Sequence, residues 1–329
     1  MVLKDGCGRP LLNLRIAVTK RCDLNCLYCH GEGDESPSGF NQREMSCDEI
    51  VRIVRVAVSL GISKVKLTGG EPLMRKDILE IIRGIASTPG LTDLSMTTNG
   101  TLLASLAEEL HSGGLNRVNI SLPTLDADIY HKLTGGRVQH ALASVRAAVN
   151  AGLCPVKLNM LILNETNDGS VPEMIRFAER TGAILQLIEL EPINMSSEFY
   201  SMYHKSLDSY EAGLKENAAK VESRPYMHNR RVYHLATTKV EVVHPIENSE
   251  FCLHCTRLRV TSDGKLKPCL MRNDNLVDIV TLLRKGATDE QLAELFRLAN
   301  QKRQPYNKTR QNPIEQQAQT SETRFLSNF

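Results

Sequence analysis

The sequence predicts an α/β fold, a partial (βα)6 barrel, and three observations carry that prediction. Between residues 11 and 190 a short β-branched run, a turn and an amphipathic segment recur six times. Glycines stand where the intervening helices should stop, at Gly61, Gly113-Gly114, Gly152 and Gly182. Beyond Leu190 the rhythm ends and the composition turns polar. Regular alternation of strand and helix implies parallel strands joined by right-handed crossovers. In such barrels the chemistry collects at the C-terminal ends of the strands.

Strands are expected at residues 13–18, 64–67, 93–97, 117–122, 155–162 and 183–190. The first helix shows an apolar stripe of Ile50, Ile53, Val54, Ala57 and Val58, and Ser46 with Glu49 makes a capping box before it. Later helices fall at 77–87, 102–111, 138–151 and 171–181. Residues 195–228 are polar, with a helix expected around 207–221, and the alternation over 231–243 suggests a hairpin. A last helix is expected near 289–300. The chain thus divides into a barrel core (1–192), a C-terminal region (193–306) and a tail (307–329). The tail is rich in Gln, Asn, Ser and Thr, and its composition predicts disorder.

At 329 residues, 41% of them hydrophobic, the chain can bury a sizeable core. A net charge of +2 gives no bulk electrostatic case for nucleic acid or an anionic membrane. Aromatic residues, at 5%, offer few stacking platforms for nucleic acid. No stretch approaches the roughly 20 apolar residues of a membrane span, and the N-terminus lacks signal-peptide architecture. No nucleic-acid or membrane partner is therefore expected, and the expected location is cytoplasmic. In a reducing compartment, six of the nine cysteines, in two tight triplets, read as metal or cluster ligands. Cys7, Cys47 and Cys154 stand alone and read as small buried side chains or free thiols.

The first triplet, Cys22-x3-Cys26-x2-Cys29, follows the first strand. Three thiolates on a tight loop hold three irons of a cubane and leave the fourth open, because an electron-transfer cluster takes four cysteines. Thr68-Gly69-Gly70-Glu71-Pro72 ends the second strand, where two glycines let the backbone approach a ligand closely. The second triplet, Cys252-x2-Cys255-x13-Cys269, admits either another open cluster or a zinc site completed by His254 or His244. Arg15, Lys66, Lys157, Arg257 and Arg259 lie within or at the ends of strands, where an unpaired charge is expensive. Five cations converging on one barrel mouth suit a phosphorylated ligand. Arg257 and Arg259 alternate across Leu258 and so share a face. The other histidines, His228 among them, show no ligand spacing and read as surface or core residues.

The first triplet with its Gly-Gly-Glu-Pro partner resembles the radical-SAM superfamily. The second triplet and the run 256–270 resemble the C-terminal region of the GTP 3′,8-cyclase family of molybdenum-cofactor biosynthesis, its archaeal members above all. The resemblance spans about residues 5–306. It implies a barrel of radical-SAM type with a C-terminal iron–sulfur region packed at its mouth, two 4Fe-4S clusters and S-adenosyl-L-methionine (SAM). It places the first cluster on Cys22, Cys26 and Cys29, and a substrate-binding second cluster on Cys252, Cys255 and Cys269. It places SAM against Tyr28, Gly70 and Ser121. GTP falls to Arg15, Lys66, Thr97, Lys157, Arg257 and Arg259, the last two also serving as catalytic residues. The implied reaction abstracts hydrogen from ribose C3′ of GTP and closes C3′ onto C8. The implied partners are an electron-donor protein and a downstream cyclic pyranopterin monophosphate synthase, and a homodimer is compatible with the resemblance. Four features depart from bacterial members: Pro123 replaces Asp, Gln186 replaces Arg, Glu191 replaces Met, and the chain ends Leu326-Ser327-Asn328-Phe329 instead of Gly-Gly. The residues themselves leave two other readings open. One is a radical-SAM enzyme whose auxiliary cluster serves another nucleotide or a peptide, and the other is a non-enzymatic iron–sulfur or zinc protein.

Overall fold

The computed structural model describes residues 2–33 and 44–306, and the tail expected to be disordered lies outside them. Six βα units build the core. They run β1 (Asn13–Ala17), α1 (Cys47–Ser59), β2 (Lys64–Thr68), α2 (Ile78–Ala86), β3 (Asp93–Thr98), α3 (Ala107–Ser112) and β4 (Arg117–Ser121). An extra helix, α4 (Ala127–Thr134), precedes α5 (Val138–Asn150), β5 (Lys157–Leu161), α6 (Val171–Thr181) and β6 (Ile184–Ile188). Then follow α7 (Ser197–Tyr203), α8 (Asp208–Asn217), β7 (Lys220–Arg224), β8 (Arg230–His234), β9 (Lys239–Val243) and α9 (Ser249–Leu253). The chain continues through β10 (Arg257–Val260), β11 (Lys265–Lys267), β12 (Val277–Asp278), α10 (Val280–Arg284) and α11 (Asp289–Gln301).

All twelve strands join one sheet in the order β12-β11-β10-β1-β2-β3-β4-β5-β6-β9-β8-β7. Strands β1 to β6 are parallel to their sequence neighbours. Strand β10 adds in parallel to β1, and β9 adds in parallel to β6. The second half of the chain therefore extends both edges of the first. Alternate strand residues, such as Ile16, Leu67, Met96, Ile120, Met160 and Leu187, are fully buried and share one core with Ile53, Ala57, Ile81 and Ile85 of α1 and α2. The residues between them face the other way.

Helix α1 starts at the expected capping box of Ser46 and Glu49. A second box, Thr288 with Gln291, starts α11. Arg284 on Glu49 (2.7 Å) and Arg52 on Asp289 (2.9 Å) hold the C-terminal helices against α1. Several elements differ from expectation: helices α7, α9 and α10 are not among those expected, and the helix expected over 102–111 begins only at Ala107. The helix expected around 207–221 stops at Asn217, and β7 follows it; most of β7 is exposed, so no apolar alternation announces a strand. Helix α4 buries only Tyr130, Leu133 and Thr134, too short a stripe to read as a period.

Candidate functional site

The first cysteine loop leaves the C-terminal end of β1 and is seated from two sides. Gly70 N donates to Thr19 O (2.8 Å) and Glu71 N to Arg21 O (2.7 Å). A Cβ on Gly69 would lie 2.2 Å from Thr19 O, and one on Gly70 2.2 Å from Arg21 O, so only glycine lets β2 end here. The backbone these glycines approach is the cysteine loop itself. Buried Glu71 accepts from Thr98 Oγ1 (2.8 Å), Asn99 N (2.7 Å) and Leu73 N (3.1 Å). Asn99 and Thr101 in turn donate to Asp23 at 2.7 and 2.5 Å. From the other side, Asn25 N and Leu27 N donate to the carbonyls of Thr134 and Leu133 at the end of α4. Burial pushes the Cys26 thiol up to about 12, with Cys29 and Cys22 adding to the effect, and burial also raises Cys22.

All six triplet cysteines, and every residue expected to hold SAM or GTP, line a single cavity of about 510 Å³. Strand register explains the cations. Arg259, Arg15 and Lys66 stand abreast on β10, β1 and β2, one row of one face. Four of the five cations meet groups of the protein itself. Glu32 meets Arg15 at 3.3 Å and Arg259 at 2.7 Å, Lys66 Nζ donates to Asn119 (2.7 Å), and Lys157 pairs with Glu241. Carboxylates thus offset the buried charges of Arg15, Arg259 and Lys157, while Lys66 meets a neutral amide. Arg257 is the exception: no hydrogen bond or ion pair engages its side chain among the described residues. Burial, then Arg230, Arg15 and Arg259, hold its pKa well below the ordinary value. A guanidinium keeps its charge, so this repulsion stands until an anion arrives.

The second triplet has its own clamp. Arg9 donates to Cys252 O (2.7 Å) and pairs with Asp5 (2.7 Å). Arg303, just past α11, donates to Cys255 O (2.5 Å) and meets the same Asp5 at 3.5 Å. Both ends of the described chain thus fix the two cysteines. The β7–β8 turn packs here too, with His228 N donating to His254 O (3.1 Å) and Thr256 Oγ1 to Tyr226 O (2.8 Å). His228 therefore lines the cavity, which corrects its reading as an ordinary surface or core residue.

Both triplets suit iron–sulfur clusters better than zinc. Zinc bonds of about 2.3 Å in a tetrahedron bring thiolates to roughly 3.8 Å of one another. Among the described residues, Asp208, Glu211 and His244 are gathered within 4.8 Å of one another, and neither cysteine triplet is. Wider spacing fits one iron per thiolate. Neither histidine offered as a zinc ligand lines the cavity: His254 Nδ1 lies 2.9 Å from Glu250 O, and His244 Nε2 lies 3.3 Å from Glu189.

Sequence reasoning missed a second cation group. Arg224 (3.2 Å) and Arg230 (3.3 Å) join Lys157 on Glu241, a carboxylate only 1% exposed. Burial alone would push this carboxyl up, but Lys157, Arg230 and Arg224 hold it well below the usual carboxylate range. Such a depressed pKa contributes stability above about pH 4.5, the ordinary value, and that stability is lost as pH falls below it. Replacing Glu241 with Gln leaves Lys157, Arg224 and Arg230 without their anion. The expected cost is about 3–5 kcal/mol, read as a lower urea midpoint at pH 7. The gap between parent and variant should narrow on acidification. Equal midpoints at pH 7 would show that the carboxylate is not what holds this wall.

Residues 16–178 match the Radical SAM superfamily, and residues 183–309 match Molybdenum Cofactor Synthesis C. A probable GTP 3′,8-cyclase of Pyrococcus abyssi is 48% identical over 311 residues, 93% of this chain and 99% of that one. The protein of the same description from Methanocaldococcus jannaschii is 44% identical over 307 residues, with the same coverage. Among solved structures, Streptococcus suis SuiB bound to S-adenosylmethionine gives a TM-score of 0.59 at 19% identity, over 79% of this chain and 60% of that one. Native anSMEcpe with bound AdoMet gives 0.57 at 18%, over 81% and 77%. At those identities the likeness is one of fold, and it agrees with the partial barrel described above. The near-full-length identity to the two archaeal proteins decides the rest: the chain belongs to the radical-SAM GTP 3′,8-cyclase family.

Proposed function

We infer that this protein is a radical-SAM lyase that converts GTP to (8S)-3′,8-cyclo-7,8-dihydroguanosine 5′-triphosphate, the first step of molybdenum-cofactor biosynthesis. The observation that carries the reading is one cavity with a cysteine triplet on each of two walls and cations between them. When bound, SAM on the first 4Fe-4S cluster supplies a 5′-deoxyadenosyl radical, and the second 4Fe-4S cluster supplies an open iron for the purine. The chain's own residues do the positioning. In this proposal Cys22, Cys26 and Cys29 hold the first cluster, and Cys252, Cys255 and Cys269 the second. Tyr28, Gly70 and Ser121 line the SAM end. Arg15, Lys66, Thr97, Lys157, Arg257 and Arg259 hold GTP, with Arg257 and Arg259 on its triphosphate.

The same proposal divides the chain at residues 192 and 193 into a barrel core and a cluster-bearing region. It includes an electron-donor protein, a cyclic pyranopterin monophosphate synthase that takes the product, and a cytoplasmic location, and it is compatible with a homodimer. No described helix is long and apolar enough to cross a membrane.

Binding of GTP to two arginine variants tests the triphosphate assignment. Arg257 has no protein partner to share, so Arg257→Ala should weaken GTP binding by about ten- to a hundredfold. Arg259→Ala should cost less, because it also releases Glu32 to Arg15 alone. Iron content counted alongside confirms that both clusters are assembled. Unchanged affinity in both variants would remove the triphosphate from this wall.

A further inference from the structure

The β7–β8 turn and the first residue of β8 carry two buried nitrogens that nothing among the described residues satisfies. His228 is 7% exposed, and its Nε2 is buried without a hydrogen-bond partner. Arg230, two residues on, is equally buried, and its Nε is also unpartnered. Both residues line the cavity that holds the two cysteine triplets. A buried polar atom left unsatisfied is costly, so each calls for a complementary group from outside the described residues.

The hydrogen-bonding character of each nitrogen is fixed. His228 Nδ1 lies 2.9 Å from the carbonyl oxygen of Phe251. A carbonyl only accepts, so Nδ1 carries the proton, and in the neutral ring Nε2 is a bare acceptor. Burial, then Arg257 and Arg230, hold the ring in that neutral form. Stacking on Phe251, with centroids 4.0 Å apart and planes 22° from parallel, fixes the ring plane. Arg230 Nε is a donor, and its Nη1 is engaged by Glu241 (3.3 Å). The turn thus offers one acceptor and one donor, beside a cavity otherwise rich in cations.

Position selects which part of the substrate they meet. His228 is tied to the second cysteine segment through His254 O, and it stacks on the residue immediately before Cys252. On the reading under Proposed function, the purine lies at that end of the cavity and the triphosphate lies along the Arg257–Arg259 face. The edge of guanine carries N–H donors at N1 and the 2-amino group beside the acceptor O6. Adenine has neither the N1 proton nor the 2-amino group.

We propose that His228 is a specificity-determining residue, whose Nε2 accepts a hydrogen bond from the N1–H or 2-amino edge of the guanine base. Arg230 Nε supplies the neighbouring donor. This rests on the GTP 3′,8-cyclase reading, and the test separates the two ideas by comparing GTP with ATP, which shares the ribose and triphosphate. Equilibrium binding is measured on reconstituted holoprotein, with iron counted, for the parent, His228→Phe and His228→Gln. Phenylalanine keeps a ring to stack on Phe251 and removes the acceptor. Its affinity for GTP should fall roughly tenfold while ATP binding stays unchanged. Glutamine, which retains an acceptor oxygen, should recover most of the preference. Equal weakening toward both nucleotides would make His228 structural or a ribose contact and overturn the proposal, as would undiminished GTP binding by His228→Phe. A parent protein with no preference for GTP over ATP would overturn the functional reading itself.

Discussion

Cys26→Ala is expected to abolish reductive cleavage of SAM and to lower iron by about four atoms per chain. Cys26 is the central member of a triplet whose loop is fixed by Glu71, Asn99 and Asp23 on one side and by α4 on the other. Those contacts are backbone and side-chain hydrogen bonds that do not involve the Cys26 thiol. Alanine therefore removes one iron ligand while leaving the loop in place. Two thiolates cannot hold a site-differentiated cubane, so the loss should be complete rather than graded. The measurement is 5′-deoxyadenosine formed under dithionite by anaerobically reconstituted protein. Product at a parental rate from Cys26→Ala would sink the radical-SAM assignment of this loop.

What was legible in the sequence is what is local. The triplets announce themselves by spacing, Gly69 and Gly70 by their place at a strand end, and the cation row by alternation within β1, β2 and β10. The six-fold rhythm is likewise a local period repeated. The groups that answer those charges are not local. Glu241 reaches Lys157 because β9 pairs with β6, and no periodicity in either strand states that pairing. Glu32 meets Arg259 across 227 positions of sequence, from a residue in left-handed backbone (φ 55°) beyond the cysteine loop. Arg9 and Arg303 converge on the second triplet from opposite ends of the described chain. His228 reads as an ordinary histidine until the β7–β8 turn is seen folded against Phe251 and His254. In each case tertiary pairing sets the chemistry, and the sequence carries only half of each pair.

Separate scaffolds for the two triplets lead to the second large effect, that of Cys269→Ala. Cys269 follows β11 and belongs to the wall built by Cys252, Cys255 and the Arg9–Asp5–Arg303 clamp. Among the described residues, the hydrogen bonds that seat Cys22, Cys26 and Cys29 from the ends of β2, β3 and α4 do not run to that wall. Losing Cys269 should cost one cluster, about four irons of about eight, and leave the first loop intact. Uncoupled cleavage of SAM should then persist, while conversion of GTP falls below detection because the purine loses its anchor. The two activities part in this variant and vanish together in Cys26→Ala, which makes the pair diagnostic. Parallel assays of 5′-deoxyadenosine and of cyclised nucleotide, with iron counted, read the difference. If Cys269→Ala loses SAM cleavage as fully as Cys26→Ala does, the second triplet supports the barrel rather than the substrate. The clamp of Arg9, Asp5 and Arg303 would then be the structural device that transmits the damage.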